Sequence, residues 1–170
     1  LLPQRREKVR KISPGLTFQD YRVIQANVGG VVEATPRKRF VPGKMVPKPQ
    51  REMPAVYGVN PNYERIAGLR VVAGRFFDAA DAERAAAVVV LGQGARVALF
   101  GDQEVVGKAV KINEQWFRVI GVTAPQIMTQ TAIEGMPAQD LNNLMYAPLS
   151  SVVLRLEDTR SRLRDEIDGI

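Results

Sequence analysis

The sequence predicts an α+β fold, and three observations carry the prediction. Short apolar runs bounded by Gly, Pro or Asn recur across residues 57–122, which is the pattern of buried strands. Short segments with helix-start and helix-stop residues alternate with those runs. The 170 residues are 45% hydrophobic and 25% charged, the balance of a globular domain that buries a core without staples. The 57–122 stretch also holds the only Trp and four of the six Phe.

Composition removes several chemistries. There is no Cys, hence no disulfide, thiol nucleophile or thiolate metal site. There is no His, the commonest general base and zinc ligand. Catalysis would have to rest on carboxylates, Lys, Tyr or Ser. No apolar run approaches the roughly 20 residues that span a bilayer, and Leu1-Leu2-Pro3-Gln4-Arg5-Arg6 lacks the apolar stretch of a signal peptide. The missing initiating Met and the abrupt end at Asp168-Gly169-Ile170 lead us to expect a piece of a longer chain. The net charge of +6 is uneven: residues 1–51 carry 12 basic side chains against Glu7, Asp20 and Glu33, and the rest is net acidic.

Residues 4–11 form a basic run opposed only by Glu7. It reads as a solvated arm or edge strand, or as a contact to anionic phosphate of lipid or nucleic acid. The interleaved aromatics that favour nucleic acid are absent there. Residues 17–28 predict a helix, with Thr17 as cap, Asp20 in the first turn, Tyr21, Ile24 and Val28 as an apolar stripe, and Gly29-Gly30 as the stop. Residues 31–40 predict a strand that Pro36 confines to an edge or breaks. Residues 42–53 are rich in Pro and Lys and read as an extended loop. Arg37, Lys38, Arg39, Lys44, Lys48 and Arg51 offer a positive patch to a partner, weighed against the default of a solvated loop.

Residues 55–59 predict a short strand. Asn60 and Pro61 then open a helix whose Tyr63, Ile66 and Ala67 face inward and which Gly68 ends. Residues 69–73 are apolar but for Arg70, and Asp78 caps a helical turn through Asp81 and Glu83. Asp78, Asp81 and Glu83 lack the spacing of a calcium loop, so a helix start is the expectation and no metal is assigned. Residues 87–91 predict a buried strand. Gly92-Gln93-Gly94 leads into a helix over 95–100, and without a third Gly it is a weak dinucleotide signal. Residues 110–122 predict a β-hairpin that pairs Ile112 with Phe117 and Val110 with Val119, setting Lys111 against Arg118 and leaving Trp116 exposed at the turn. An exposed Trp is a candidate for a partner contact. Residues 126–143 predict a long loop. A strand follows over 144–147, stopped by Pro148, and then a helix from Ser150.

In this order the pieces resemble the MacB-like periplasmic core domain of ABC transporter permeases of the MacB and lipoprotein-releasing type. The resemblance rests on Gly58-Val59-Asn60-Pro61-Asn62-Tyr63, Gly74-Arg75-Phe76-Phe77, Val88-Val89-Val90-Leu91-Gly92, Leu99-Phe100-Gly101-Asp102, Val106-Gly107-Lys108, Phe117-Arg118-Val119-Ile120-Gly121-Val122 and Asn143-Leu144-Met145-Tyr146-Ala147-Pro148-Leu149. It implies a porter-like α/β subdomain, 13–68 plus 142–170, with an inserted small β-rich subdomain, 69–126, a basic arm at 1–12 and a loop at 127–141. The chain then stops before the strand and helix that complete the first subdomain. The resemblance further implies a non-catalytic domain on the periplasmic side of the bacterial inner membrane, with no cofactor. ATP would be hydrolysed in a separate cytoplasmic part and motion passed through the membrane helices. The implied partners are a second permease copy, the ATPase subunit and a periplasmic adaptor protein, for which Arg37, Lys38, Arg39, Lys44, Lys48 and Trp116 are the candidate contacts.

Two other classes compete. Residues 1–51 suit a nucleic-acid-binding surface, whose affinity would fall steeply with salt. A carboxylate hydrolase would draw on Asp78, Asp81 or Glu83, which requires a defined separation across a cleft.

Overall fold

The computed structural model describes residues 16–27, 35–126, 141–157 and 166–167. In chain order its elements are β1 (Leu16–Thr17), α1 (Phe18–Asn27), β2 (Arg37–Phe40), β3 (Met45–Val46), β4 (Ala55–Val59), α2 (Tyr63–Ile66), β5 (Val71–Gly74), α3 (Ala79–Glu83), β6 (Val88–Leu91), α4 (Gln93–Phe100), β7 (Ala109–Ile112), β8 (Gln115–Thr123), β9 (Leu144–Pro148), α5 (Leu149–Arg155) and β10 (Glu166–Ile167). No helix among the described residues is long and apolar enough to cross a membrane.

One 8-stranded mixed sheet dominates, in the order β2-β4-β9-β6-β8-β7-β3, with β5 pairing β8 as a side branch. β4 runs parallel to β9, and β6 parallel to β8; the remaining pairs are antiparallel. β1 and β10 form a separate two-stranded pair. The central strands β4 and β9 are buried along their whole length, as strands covered on both faces must be. Their alternating side chains feed two cores. Val56, Met145 and Ala147 join Val89, Leu91, Val110, Ile112, Phe117 and Val119 in one, which α4 covers with Ala95 and Leu99, and α5 and the residue that caps its C-terminus cover with Val152 and Leu156. Tyr57, Tyr146 and Val90 face the other way, toward Leu69, Phe76, Phe77 and Tyr63.

The sheet is curled. β2 and β3 lie at opposite ends of the strand order, yet only residues 41–44 connect them, so the Phe40 and Met45 Cα atoms are at most about 18 Å apart. Both side chains accordingly pack into the same core. Strands from residues 69–126 and from 142–170 hydrogen-bond directly where β6 meets β9, at Val90↔Tyr146 and Leu91↔Met145. Each core also draws on both segments.

Several expectations hold and several are revised. β4 and β6 form where their apolar runs placed them, α1 begins at Phe18, and β2 is an edge strand that starts just after Pro36. Residues 42–53 are not all loop, because Met45–Val46 pairs with Ile112 and Lys111 of β7. α2 starts at Tyr63 rather than at Pro61: the Tyr63 amide donates to the Asn60 carbonyl at 3.0 Å, closing a turn before the helix. With so short a helix only Tyr63 reaches the core, while Ile66 and Ala67 stay exposed. The hairpin register differs by two residues: Val110 pairs Phe117 and Ile112 pairs Gln115. Asn113 adopts φ +51°, a left-handed conformation that Asn tolerates, and this permits a two-residue turn. Lys111 therefore faces Trp116 instead of Arg118. Gly29-Gly30, the arm at 1–12 and the loop at 127–140 lie outside the described residues.

Tyr146 is the hub of the aromatic core, with Tyr63, Phe76 and Tyr57 ring centroids 5.9, 6.2 and 6.3 Å away. Its hydroxyl accepts a hydrogen bond from Gln126 Nε2 at 3.1 Å. Burial pushes its pKa well above the ordinary phenol value. A folded pKa raised above the unfolded one stabilises the fold fully below about pH 10, and that contribution is lost as pH rises toward the folded value. Tyr146→Phe should therefore flatten the alkaline loss of stability, at a cost of about 1 kcal/mol at neutral pH for the lost hydrogen bond. Urea midpoints measured between pH 8 and 11 check this; parallel curves for the two proteins would refute it.

Candidate functional site

The six candidate contact residues fall into two groups on the two margins of the sheet. Arg37, Lys38 and Arg39 lie on β2; Lys44 and Lys48 flank β3, and Trp116 is on β8. On the β2 margin, Arg37 and Lys38 are engaged internally. The Arg37 guanidinium stacks over the Tyr57 ring at 4.7 Å, and Lys38 forms a half-buried ion pair with Glu157 beyond α5. Arg39 is exposed.

The β3 margin carries a chain of contacts around the hairpin tip. Lys44 pairs with Glu114, which also lies 3.6 Å from Lys111, and the Lys111 ammonium sits 5.8 Å from the centroid of Trp116. The hydrogen bond from Lys44 holds the Glu114 carboxyl below its usual pKa. Asn113 Oδ1 accepts from the Gly43 and Lys44 amides at 2.9 and 3.2 Å, fixing the 43–44 segment against the turn. Trp116 is 56% exposed, the largest uncovered aromatic surface among the described residues. Lys48 and Arg51 are exposed beyond this cluster. Arg37, Lys38 and Arg39 thus lie on the β2 margin and Lys44 and Lys48 beside β3, while Arg51 stands near Gly94, Ala98 and Asn143.

The acids at 78–83 are occupied by structure. Asp78 caps α3: its Oδ1 accepts from the Asp81 amide at 2.9 Å, and Asp81 Oδ2 accepts from the Asp78 amide at 3.1 Å. Asp81 is buried and also accepts from Arg75 Nη1 at 2.7 Å and Arg84 Nη2 at 2.6 Å. The Arg75 hydrogen bond is the main reason its pKa is lowered. The Gly-x-Gly segment also has a packing role. The Gly92 amide donates to the Leu144 carbonyl at 2.7 Å, and a Cβ on Gly94 would stand 2.8 Å from the Asn142 carbonyl carbon. The bare backbone lets α4 lie against the start of β9.

The sequence reading did not find the grip of α5 on the turn after α3. Ser150 Oγ donates to the Ala82 carbonyl and Ser151 Oγ to the Ala86 carbonyl, both at 2.6 Å. Arg155 donates to the Ala85 carbonyl from Nε and Nη2, at 3.1 and 3.0 Å. Ala85 sits at φ +47°, a conformation that costs a non-glycine residue about 1 kcal/mol. Three side chains of α5 therefore hold a strained turn that lies some 70 residues earlier in the chain.

A profile of the family described as MacB-like periplasmic core domain matches residues 3–170. The macrolide export ATP-binding/permease protein MacB of Aggregatibacter actinomycetemcomitans is 34% identical over 101 residues, 59% of this chain and 15% of that protein. The protein of the same description from Bdellovibrio bacteriovorus is 27% identical over 141 residues, 83% of this chain and 20% of that protein. The matched parts are thus a fifth or less of these relatives. The crystal structure of the periplasmic region of MacB from Actinobacillus actinomycetemcomitans superposes with a TM-score of 0.63 at 22% identity, covering 91% of this chain and 68% of that one. The extracellular domain of the ABC-type transporter YknZ from Gram-positive bacteria gives a TM-score of 0.64 at 19% identity, covering 94% and 76%. At these identities the two structures establish the fold, an α+β arrangement on a mixed sheet.

Proposed function

This chain belongs to the MacB-like periplasmic core domain family, and from that premise we propose that it is the extracytoplasmic domain of an ABC transporter permease, held on the periplasmic side of the bacterial inner membrane. It carries no chemistry of its own. ATP hydrolysis belongs to a separate cytoplasmic part, and this domain converts the resulting motion of the membrane helices into movement of substrate or adaptor. Relatives described as macrolide export proteins favour export as the direction. It works beside a second permease copy. The exposed Arg39, Lys44, Lys48 and Trp116 are offered to a periplasmic adaptor protein, with Arg37 and Lys38 shaping the β2 margin behind them.

The observation that carries the mechanical part of this reading is the α5 grip. We assign residues 13–68 with 142–170, and 69–126, as the two units of motion. They meet at the β6–β9 and β3–β7 pairings, in both shared cores, and at the three side chains that bind α5 to the 82–86 turn. A push on α5 then travels through hydrogen bonds into α3 and β6. Arg155→Ala in the parent transporter is expected to uncouple it: ATP hydrolysis continues while transport falls several-fold. The check is ATPase and substrate flux measured on the same proteoliposomes; unchanged coupling between the two would remove the mechanical role.

A further inference from the structure

On β8 the exposed Trp116 and Arg118 and the half-buried Ile120 alternate with the buried Phe117 and Val119, so they share the sheet face that looks away from the first core. Where this face meets β5 and the turn at 105–108 there is a shallow, open depression of about 420 Å³. Arg75 and Arg118, the aliphatic Val106 and Ile120, the backbone at Val119 and two glycines line it, and no carboxylate does. Arg118 makes no ion pair or side-chain hydrogen bond among the described residues. Arg75 reaches Asp81 and the Phe76 carbonyl through Nη1 alone, which leaves its other N–H groups uncommitted. Val106 is 41% exposed at the rim.

The Arg118 guanidinium, which has no counter-ion among the described residues, set against aliphatic walls beside the Asp81-paired Arg75, selects a ligand with two matching parts. Arginine presents a planar fork of donors that fits a carboxylate in two-point contact. A cation is repelled, while a small polar anion leaves Val106 and Ile120 wet and gains nothing from them. We propose that this depression binds a single-chain anionic amphiphile. The carboxylate head rests on Arg118, and the aliphatic body lies over Val106 and Ile120, on the side of Arg118 away from Trp116. The site is separate from the α5 grip and does not depend on the transport reading.

The only Trp in the chain is two residues from Arg118 on the same face, so its emission reads binding at the carboxylate end of the site. Decanoate, titrated into the 170-residue chain below its micelle concentration, should shift Trp116 emission saturably. Acetate and decyltrimethylammonium at the same concentrations should not. Arg118→Gln and Val106→Asp should each weaken decanoate binding at least tenfold. Both replace exposed side chains, so their circular dichroism and melting temperature should match the parent. Three results overturn the proposal: no saturable response to decanoate, an equal response to decyltrimethylammonium, or wild-type affinity in Arg118→Gln. None of them involves transport, so such a failure would leave the family-based reading standing.

Discussion

Replacing Gly121 by Ala is expected to destabilise the chain by about 3 kcal/mol or more, although it adds a single methyl group. Gly121 lies where β8 crosses β5, paired with Gly74. A Cβ built on Gly121 would stand 2.2 Å from the Arg75 carbonyl oxygen, and one on Gly74 would stand 2.0 Å from the Ile120 carbonyl oxygen. Both obstacles are backbone, so neither can swing aside as a side chain would. The Arg75 amide donates to the Ile120 carbonyl at 2.9 Å, and this bond must lengthen or break if the strands part. The register of β8 against β6 also shifts between Val89 and Val90, so this crossing sits beside a bulge. Alanine usually stabilises by up to about 1 kcal/mol by restricting the unfolded chain, and the clash must exceed that gain. Gly74→Ala adds a second penalty, because Gly74 holds φ +65°. Urea unfolding of both variants tests the prediction. A loss below 1 kcal/mol for Gly121→Ala would mean that the strands are not pressed together as described.

That crossing also shows how far the sequence can be read. Gly74-Arg75-Phe76-Phe77 and the run ending Ile120-Gly121-Val122 stand out as pieces of a family pattern, but their meeting is not visible in either piece. Local signals were sufficient for β4 and β6, whose uninterrupted apolar runs suit strands buried on both faces. They were also sufficient for Asp78, whose capping role depends on residues three apart. They failed for β3, because Met45–Val46 lies among prolines and becomes a strand only by pairing with β7, more than 60 residues later. The candidate contact residues show the same limit. Charge marked Arg37 and Lys38 as available, but Tyr57 and Glu157 engage them at long range. Arg118 stands out in the sequence only as the expected opposite of Lys111 and as one residue of the run from Phe117 to Val122, and neither points to a ligand. The α5 grip uses serine and arginine donors on backbone carbonyls, a pairing that leaves no spacing in the sequence to detect.

Asp81→Asn is expected to cost about 2–3 kcal/mol near neutral pH and to change how stability responds to acid. Hydrogen bonds to a charged group contribute about 1.5–3 kcal/mol each. Asp81 accepts two from guanidinium groups and one from the Asp78 amide. The full sum does not apply, because the Arg75 and Arg84 side chains are 51% and 65% exposed and recover water when the carboxylate is gone. The amide of Asn keeps the size but must turn an NH2 group toward one arginine, which leaves a buried donor facing a donor. Since Asp81 has a folded pKa below its unfolded one, its stabilisation is complete above about pH 4 and disappears as pH falls through the lower folded value. Wild type should therefore lose stability below pH 4 more steeply than Asp81→Asn, and the two curves should converge. Urea midpoints from pH 7 down to pH 3 would show this. If the gap between the proteins stayed constant across that range, ionisation of Asp81 would not be what ties β5 to α3. The consequence would then reach the α5 grip, since the turn held by Ser150, Ser151 and Arg155 begins at the end of that helix.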